Sequence, residues 1–394
     1  MDDLHIELYR PELAEDALAI RNAIFPPIGL EEWLKTTTMS GVVAYLGDEV
    51  VGCIPMDRRA FLLAPGVSVP VVFENAVGTR EDLRSQGIGT AMIRAAREYL
   101  SDEVDALMVY RGAERSPGYR FYARTGHQDM LYLRPAHWAQ PCGSSGHVGV
   151  GGPEEIDAEA EAIHRVFGAT YHAHGGFPPR SVGYQGRQLR HQIYAVLPQE
   201  TLYFRYPKSG ELQAYCIAGI RTGARAEAVV MLQELAAASA EAARMLLDGI
   251  GAYASGRGCA VSCQTGHDDP FHHLLLSMGF DEGPRSLMLL AQPLDLQRLF
   301  LRTCEHPELL EDLRISVWTP ALDAVLYEGP CAKVDVCIEA KSGQLARMLC
   351  RRLDVHWATE QGIISIRNAT GDIVHRLSAA RPLSHWTYHA LDYI

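Results

Sequence analysis

The chain has 394 residues, 47% of them hydrophobic and 21% charged, which suits about two to four globular domains and excludes wholesale disorder. The net charge of −12 is spread without a basic patch, so nucleic acid is not expected as a partner. No apolar run reaches the ~20 residues of a membrane span, and the acidic N-terminus lacks a secretory signal pattern. We therefore expect a cytoplasmic protein with no membrane partner.

Strand and helix signals alternate through the first segment, and the Gly/Ser-rich stretch Gly143–Pro153 predicts a linker after it. The β-branched run Pro70–Thr79 leads directly into a helix, which is the most regular part of this pattern. The predicted strands are Leu4–Leu8, Gly41–Leu46, Val50–Ile54, Pro70–Thr79, Ala106–Tyr110 and one beginning at Leu131, and the predicted helices are Pro11–Ala23, Leu30–Thr36, Gly87–Leu100 and Gly118–Thr125.

Three domains are predicted from these boundaries: residues 1–142, a linker at 143–153, residues 154–297, and residues 298–394. The second repeats the rhythm of the first with little sequence identity, which indicates an internal duplication. The third has weaker signals, with candidate strands at Arg314–Trp318, Val334–Ala340 and Gly362–Arg367 and a closing helix-like stretch at His385–Ile394.

Metal binding has little support in the sequence. The nine cysteines form no CxxC pair, and the sixteen histidines include no HExxH. The pair His385 and His389 and the group His172, His174 and His191 are interpreted as ordinary imidazoles. No metal cofactor is expected.

The run from Val77 to Ala91 carries the strongest chemical signal. Here a β-branched strand ends, a turn follows, and a helix begins at once, with Gly87 and Gly89 leaving room for a ligand near the backbone. The first turn of such a helix offers unpaired N–H groups and the positive end of the helix dipole. Arg84 adds a charge and Thr90 a hydroxyl, so the pattern predicts a pyrophosphate cradle. It is neither a GxGxxG nor a GK[ST] phosphate loop.

This run resembles motif A of the GNAT acyl-CoA N-acyltransferases, with the signature [R/Q]xxGx[G/A], and residues 121–127, FYARTGH, resemble the family's FYxxxGF helix. The resemblance implies that the main chain after the strand pairs with pantetheine and that the following amides hold the pyrophosphate of acetyl-CoA. The binding residues it implies are Val77, Gly78, Thr79, Arg84, Ser85, Gln86, Gly87, Ile88, Gly89 and Thr90.

Tyr122 lies where many GNAT enzymes place a general acid, which protonates the departing coenzyme A thiolate. A phenol has a pKa of about 10, close to that of an alkyl thiol, so this proton transfer is nearly balanced. A packed aromatic side chain is the other interpretation of Tyr122. His127 replaces the family's usual aromatic residue, a departure that mainly concerns packing.

The general base is less clearly indicated. An attacking amine must lose a proton, and Glu74 on the motif strand or Glu114 in a loop are candidates, although each is equally an ordinary structural or solvated carboxylate. The whole chain resembles the Eis-like (enhanced intracellular survival) acetyltransferases, which use their C-terminal carboxylate as the base. That resemblance implies the same role for Ile394.

The Eis-like resemblance also implies an α+β fold: two tandem GNAT folds, each a mixed, mostly antiparallel sheet with flanking helices, plus a C-terminal sterol-carrier-like domain. It further implies a homo-oligomer, a hexamer by analogy. In the second unit Val230–Leu235 resembles the motif strand, but no Gly-rich turn follows, and Leu275 stands where the tyrosine would be. We therefore expect no acyl-CoA site there.

The function predicted is an acetyl-CoA-dependent N-acetyltransferase in which a primary amine attacks the thioester directly in a ternary complex. The acceptor would be a small-molecule amine or a lysine. One alternative is a non-catalytic acyl-CoA- or lipid-binding regulatory protein with the same fold. Another is an acyltransferase that uses a longer acyl group, because the sequence does not reveal the depth of the pocket.

Overall fold

A computed structural model describes residues 3–25, 27–34, 39–112, 117–144, 146–191, 200–222 and 228–392. The chain forms two compact units. Unit 1 comprises Met1–Leu131 and Met288–His385, and unit 2 comprises Tyr132–Leu287 and Trp386–Ile394. Among the described residues, no helix is both long and apolar enough to cross a membrane.

The first segment follows the predicted order of elements. They are β1 (Leu4–Leu8), α1 (Ala14–Asn22), α2 (Leu30–Leu34), β2 (Met39–Leu46), β3 (Glu49–Ala64), β4 (Val67–Glu74), β5 (Gly78–Thr79), α3 (Ile88–Leu100), β6 (Ala106–Gly112), α4 (Pro117–Thr125) and β7 (Gln128–Trp138). Short 3₁₀ helices occur at Pro11–Leu13 and Glu81–Leu83.

The second segment continues with a similar alternation. It contains β8 (Gly149–Gly151), α5 (Pro153–Ala158), α6 (Ala160–Tyr171), β9 (His174–Gly175), α7 (Tyr184–His191), β10 (Glu200–Tyr206), β11 (Ala214–Thr222), β12 (Ala228–Ala237), α8 (Ala240–Gly256), β13 (Ala260–Gly266), α9 (His272–Ser277), β14 (Asp281–Glu282) and β15 (Leu287–Pro293).

The third segment adds a smaller α+β layer. It contains α10 (Leu296–Thr303), β16 (Leu313–Thr319), β17 (Leu322–Glu328), β18 (Val334–Glu339), α11 (Ser342–Leu349), α12 (Val355–Glu360), β19 (Ser365–Arg367), α13 (Gly371–Ala380) and β20 (His385–Trp386), with 3₁₀ helices at Pro307–Leu310 and Ala390–Asp392. Its four-stranded sheet has the order β17-β16-β18-β19. The predicted mixed α+β class is confirmed, and the likeness of this segment to a sterol carrier stays a prediction.

The sheet of unit 1 has the strand order β1-β2-β3-β4-β6-β15, with the short β5 paired to β3. Helix α3 covers it with one apolar face, because Ile88, Met92, Ile93, Ala96 and Leu100 recur at helical spacing and are all buried. They pack against strand residues that are also fully buried, among them Val42, Val72 and Leu107. This core packs α3, including Ile88 at its start, against the strands of unit 1.

Strands β4 and β6 are parallel but pair only over a short distance. Their register runs from Val71 opposite Ala106 to Phe73 opposite Met108. After Glu74 the chain takes a positive φ of 43° at Ala76, and it then resumes as β5, paired with β3 instead. The predicted single strand Pro70–Thr79 is therefore interrupted, and the two parallel strands separate beyond Phe73 and Met108.

Unit 2 has a comparable sheet, with the order β7-β13-β12-β11-β10-β8. Here β12 and β13 are the parallel pair, in register from Val229 opposite Ala260 to Met231 opposite Ser262. Strand β7 begins in the first segment, whereas β15, from the second, lies in unit 1. The compact units thus cut across the predicted boundaries, and the three-domain division stays a prediction.

Part of the predicted linker is ordered structure. Strand β8 pairs with β10, with Val150 opposite Phe204. A Cβ atom on Gly143 would lie 2.0 Å from the main-chain oxygen of Asp248, so the glycine there permits close packing. Glycine in this stretch serves close backbone approach as well as chain flexibility.

The predicted closing helix is wrong. The last described residues form β20 and a 3₁₀ turn, and the Thr387 N–H donates to the Gly175 carbonyl oxygen at 2.9 Å. Trp386, His389 and Leu391 are all buried. Polar as well as apolar residues of this stretch are buried. Their order along the chain therefore does not indicate a surface helix with one apolar face.

Candidate active site

Gly87 begins helix α3 in a conformation that favours glycine. It has φ +90°, and Ser85, two residues earlier, has φ +64°. A Cβ on Gly87 would meet no atom within 4 Å. Glycine is therefore favoured by the backbone angle, and the space in front of the helix start is open.

The first turn of α3 keeps its amides available. Its N-cap residue makes no side-chain hydrogen bond, and the first backbone bond there is from the Ala91 N–H to the Gly87 oxygen at 2.9 Å. The N–H groups of Ile88, Gly89 and Thr90 thus precede the regular helical ladder, where the helix dipole favours an anion. The geometry fits the predicted phosphate cradle.

Gly89 has a different role from the one expected. A Cβ atom there would lie 2.9 Å from Cε2 of Phe121, so its missing side chain lets α3 pack closely on α4. Gly78 likewise packs against α1, since a Cβ would lie 2.7 Å from Cδ1 of Ile24. Helix packing explains why both residues are glycines, and their predicted main-chain binding roles stay predictions.

The remaining predicted binding residues lie around this turn. Val77 is partly buried against the core of unit 1, and Thr79 pairs with Gly52. Arg84 is exposed, with its Nη1 3.8 Å from Glu81 Oε1. Ser85 and Gln86 are exposed beside it. Arg84 Nε also donates to the Thr79 main-chain oxygen at 3.4 Å. An exposed arginine with such long surface contacts is able to turn toward an anion.

Tyr122 lies on the α4 helix and is 7% exposed. Its ring contacts Phe121 edge-on, with centroids 4.9 Å apart, and His127 edge-on at 5.1 Å. Tyr122 is therefore held by aromatic neighbours on its own helix and just beyond it.

The structure pairs Glu74 with His127. Glu74 Oε1 lies 2.8 Å from His127 Nε2, both side chains are 0% exposed, and His127 Nδ1 lies 3.0 Å from Thr125 Oγ1. From the sequence, His127 was expected to serve packing, and this bond was not predicted. The available signal was a histidine at an aromatic position of the motif, combined with a glutamate in an apolar strand. Glu114 and Ile394 lie outside the described residues.

In unit 2 the equivalent main chain is already bonded to the protein's own side chains. The Thr170 hydroxyl bonds to both the N–H and the oxygen of Ala237 at 2.9 Å, and the Tyr171 hydroxyl donates to the Leu235 oxygen at 2.5 Å. Ser239 caps α8 by accepting from the Ala242 N–H at 3.1 Å. These bonds occupy main-chain groups at the end of β12 and the start of α8, and the absence of an acyl-CoA site in this unit stays a prediction.

A cavity of about 30 Å³ lies beside strands β12 and β13 of unit 2. Its lining includes Glu234, Cys263, Asp269 and His389. His389 packs among Phe167, Tyr171 and Phe177, with ring centroids 4.7 to 5.5 Å away, and burial holds its pKa well below the usual value. Within the described part of the chain, no group of three His, Cys, Asp or Glu side chains is arranged to hold a metal.

Replacing Asp269 by asparagine should change how stability depends on pH. Burial raises the pKa of Asp269 to about 6. Because the folded pKa lies above the unfolded one, wild-type stability should fall as pH rises from about 4 to about 6 and stay lower above that. At about pH 7.5 Asp269→Asn should therefore be more stable by about 1 kcal/mol, with less gain near pH 4.

Urea unfolding at both pH values measures this difference. Asp281→Asn is the control, because Asp281 is exposed on β14 of the same unit. Parallel pH profiles for wild type and Asp269→Asn would refute the prediction.

Comparison with known protein families gives a match for part of the chain. Residues 6–127 match the family described as "Acetyltransferase (GNAT) family". No curated protein sequence is significantly similar to the chain.

Solved structures share the fold over nearly the whole chain. A probable N-acyltransferase of unknown function from Enterococcus faecalis is 13% identical, with a TM-score of 0.73 and 98% of each chain covered. A GCN5-related N-acetyltransferase from Anabaena variabilis is 12% identical, with a TM-score of 0.70 and 98% and 100% covered. Eis1 from Mycobacterium abscessus is 15% identical, with a TM-score of 0.61 and 97% and 99% covered.

At these identities the structural likeness concerns the fold. The family match confirms the resemblance seen in motif A and the enzyme class it implies, a GNAT-type acyltransferase. Residues 6–127 of the chain thus match the acetyltransferase (GNAT) family.

Proposed function

We propose that the protein transfers an acetyl group from acetyl-CoA to a primary amine. The observation that carries this proposal is the open N-terminus of α3 at Gly87, where the N–H groups of Ile88, Gly89 and Thr90 precede the helical ladder. An anion-binding helix start, preceded in the chain by the short strand β5, suits a ligand with a pyrophosphate and an amide-containing arm.

The residues present fit acetyl-CoA. The amides of Gln86 to Thr90 would hold the pyrophosphate, with Arg84 at the rim. The main chain of Val77, Gly78 and Thr79 would align the pantetheine arm, and an N–H near Val77 would stabilise the oxyanion that forms on the thioester carbonyl. Holding donor and acceptor together would supply much of the rate.

In the proposed reaction the amine nitrogen forms a bond to the thioester carbon. The C–S bond then breaks, and the departing thiolate takes the phenolic proton of Tyr122. The amine proton goes to a base, for which the Ile394 carboxylate and Glu74 were expected. Glu74 is enclosed against His127, which favours another acceptor, such as the Ile394 carboxylate or water.

The wider features expected from sequence belong to the same proposal. They are a small-molecule amine or lysine as acceptor, tandem GNAT units followed by a sterol-carrier-like domain, a homo-oligomer, and a cytoplasmic location. The similar pairing of β4 with β6 and of β12 with β13, each ending after three residue pairs, supports the tandem arrangement.

Isothermal titration of acetyl-CoA tests the binding step. We expect saturable binding to the wild type and loss of binding in an Arg84→Ala, Gly87→Glu variant, because a carboxylate would then occupy the anion site. Gly66→Glu is the matched control, since Gly66 also has a positive φ and open surroundings, in the turn after β3. Absence of binding to the wild type would refute the proposal.

An amine panel with detection of released thiol tests the transfer step. Turnover with at least one primary amine is expected. Binding of acetyl-CoA without any turnover would favour the alternative, a non-catalytic acyl-CoA-binding regulator with the same fold.

A further inference from the structure

Glu74 and His127 join the two elements that carry the proposed site. Glu74 is the last residue of β4, directly after Phe73, where pairing with β6 ends. His127 lies two residues beyond α4, the helix that carries Tyr122. The 2.8 Å contact between Nε2 and Oε1 spans 53 residues of sequence. It therefore links the end of β4, where pairing with β6 stops, to the end of α4.

The hydrogen atoms around this contact can be assigned from the bonds. The Thr125 hydroxyl has one hydrogen, and it donates to the Tyr122 main-chain oxygen at 3.0 Å. Thr125 Oγ1 must then accept from His127 Nδ1, 3.0 Å away, so Nδ1 carries a proton. The contact between Nε2 and Oε1 needs one more hydrogen. Glu74 and His127 accordingly share a single proton and have no net charge together.

The opposite assignment is less favourable. If Thr125 donated to Nδ1, His127 would be neutral and Glu74 a full carboxylate with 0% side-chain exposure. Its second oxygen, Oε2, accepts no hydrogen bond from the described residues. An enclosed charge with one hydrogen bond is strongly unfavourable, whereas the shared proton leaves the pair neutral.

Other charged side chains lie on the neighbouring strands. Asp57 and Arg59 on β3 form an ion pair with each other, and the Arg111 guanidinium on β6 lies 4.8 Å from the Tyr119 ring. The titratable tyrosines nearby are Tyr110 on β6, whose ring stacks on Phe73, and Tyr122 itself.

We propose that Glu74 and His127 are positioning residues, a buried pair sharing one proton that fixes Tyr122 relative to the separated strands. The Tyr122 ring packs edge-on against His127 at 5.1 Å, and its carbonyl accepts from the Thr125 hydroxyl and the His127 N–H. This inference rests on the proposed role of Tyr122 as the acid. It also accounts for a histidine at an aromatic position, because the ring keeps its shape and gains a bond to Glu74.

NMR of ¹⁵N-labelled imidazole in the full chain tests the shared proton without requiring activity. We expect the His127 Nδ1 to give the resonance of a nitrogen that carries a hydrogen, as its contact with Thr125 Oγ1 requires. Glu74→Gln should shift the Nε2 resonance, because the amide replaces the carboxyl group that shares its proton. An Nδ1 resonance typical of a nitrogen without hydrogen in the wild type, or ring resonances unchanged by Glu74→Gln, would overturn the proposal.

Steady-state kinetics tests the positioning role. Glu74→Gln, which keeps the size of the side chain, should lower kcat about 10- to 100-fold with little change in the KM for acetyl-CoA. His127→Phe should have a similar effect, and the double variant should lose no more than either single variant, because both changes break one interaction. Glu98→Gln, on the exposed face of α3, is the control.

The NMR and kinetic experiments distinguish a failure of this inference from a failure of the proposed function. If the wild type transfers no acetyl group, the proposed function fails, while the NMR result still decides whether the proton is shared. Wild-type kcat in Glu74→Gln, or losses that multiply in the double variant, would show that the pair does not position the acid.

Discussion

Replacing Arg180 with methionine should destabilise unit 2 by about 3–5 kcal/mol, the usual cost of removing one partner from a buried ion cluster. Its guanidinium donates to Glu234 Oε2 at 2.8 Å and to both carboxylate oxygens of Asp392, one of them at 3.0 Å. All three side chains are at most 3% exposed. Methionine would leave two enclosed carboxylates without their cation.

The groups around the cluster show why the charge is needed. Glu234 also accepts from Tyr215 at 2.7 Å and Gln185 at 2.8 Å, yet burial still raises its pKa despite the opposing effect of Arg180. Without the guanidinium, the Glu234 carboxyl should bind a proton more readily in the folded state, because Arg180 no longer opposes the effect of burial. The deficit in stability should therefore shrink as pH falls toward about 5.

Hydrogen exchange during urea unfolding, followed in peptides from β12 and from 386–392, measures this effect within unit 2. Arg190→Met is the matched control, because the Arg190–Asp157 pair is 2.7 Å long but about half exposed, and such a pair contributes less than about 1 kcal/mol. Asp392→Asn should cost less than Arg180→Met, since it leaves a neutral Arg180–Glu234 pair. Equal losses in Arg180→Met and Arg190→Met would contradict the prediction.

Local patterns in the sequence predicted the parts of the site that lie close together along the chain. The spacing of Arg84, Gly87 and Gly89 after a β-branched strand predicted the helix start, and the order of elements up to α4 followed from apolar periodicity. The interruption at Ala76 was not predictable in this way, because a positive φ at a non-glycine residue has no strong local signature. It lies between the end of β4 at Glu74 and the start of β5 at Gly78.

Contacts between residues that are far apart in the sequence were also not predicted. Glu74 and His127 are 53 residues apart, and Arg180 and Asp392 are 212 apart. Charged side chains are almost never buried unless they are paired. A hydrophobicity pattern therefore assigns a charged residue to the surface, even where the fold buries it with a partner. The closing stretch was predicted as a helix for a related reason: its polar residues, His389 among them, are buried.

Tyr122→Phe should lower kcat for acetyl transfer by about 10²- to 10⁴-fold, the usual contribution of a general acid. Phenylalanine keeps the ring that packs on Phe121 and His127 but removes the only proton it could give to the thiolate. Titration should show unchanged acetyl-CoA affinity, which separates lost chemistry from lost binding.

Tyr119→Phe provides the control for this variant. Tyr119 lies on the same helix, with its ring 4.8 Å from the Arg111 guanidinium, so its hydroxyl should not affect the leaving thiolate. A general acid and its positioning pair should also act through the same step. Glu74→Gln added to Tyr122→Phe should therefore cost little more than Tyr122→Phe alone. If Tyr122→Phe retained wild-type kcat, the thiolate would take its proton from water or another side chain, and Tyr122 would be a packed aromatic residue.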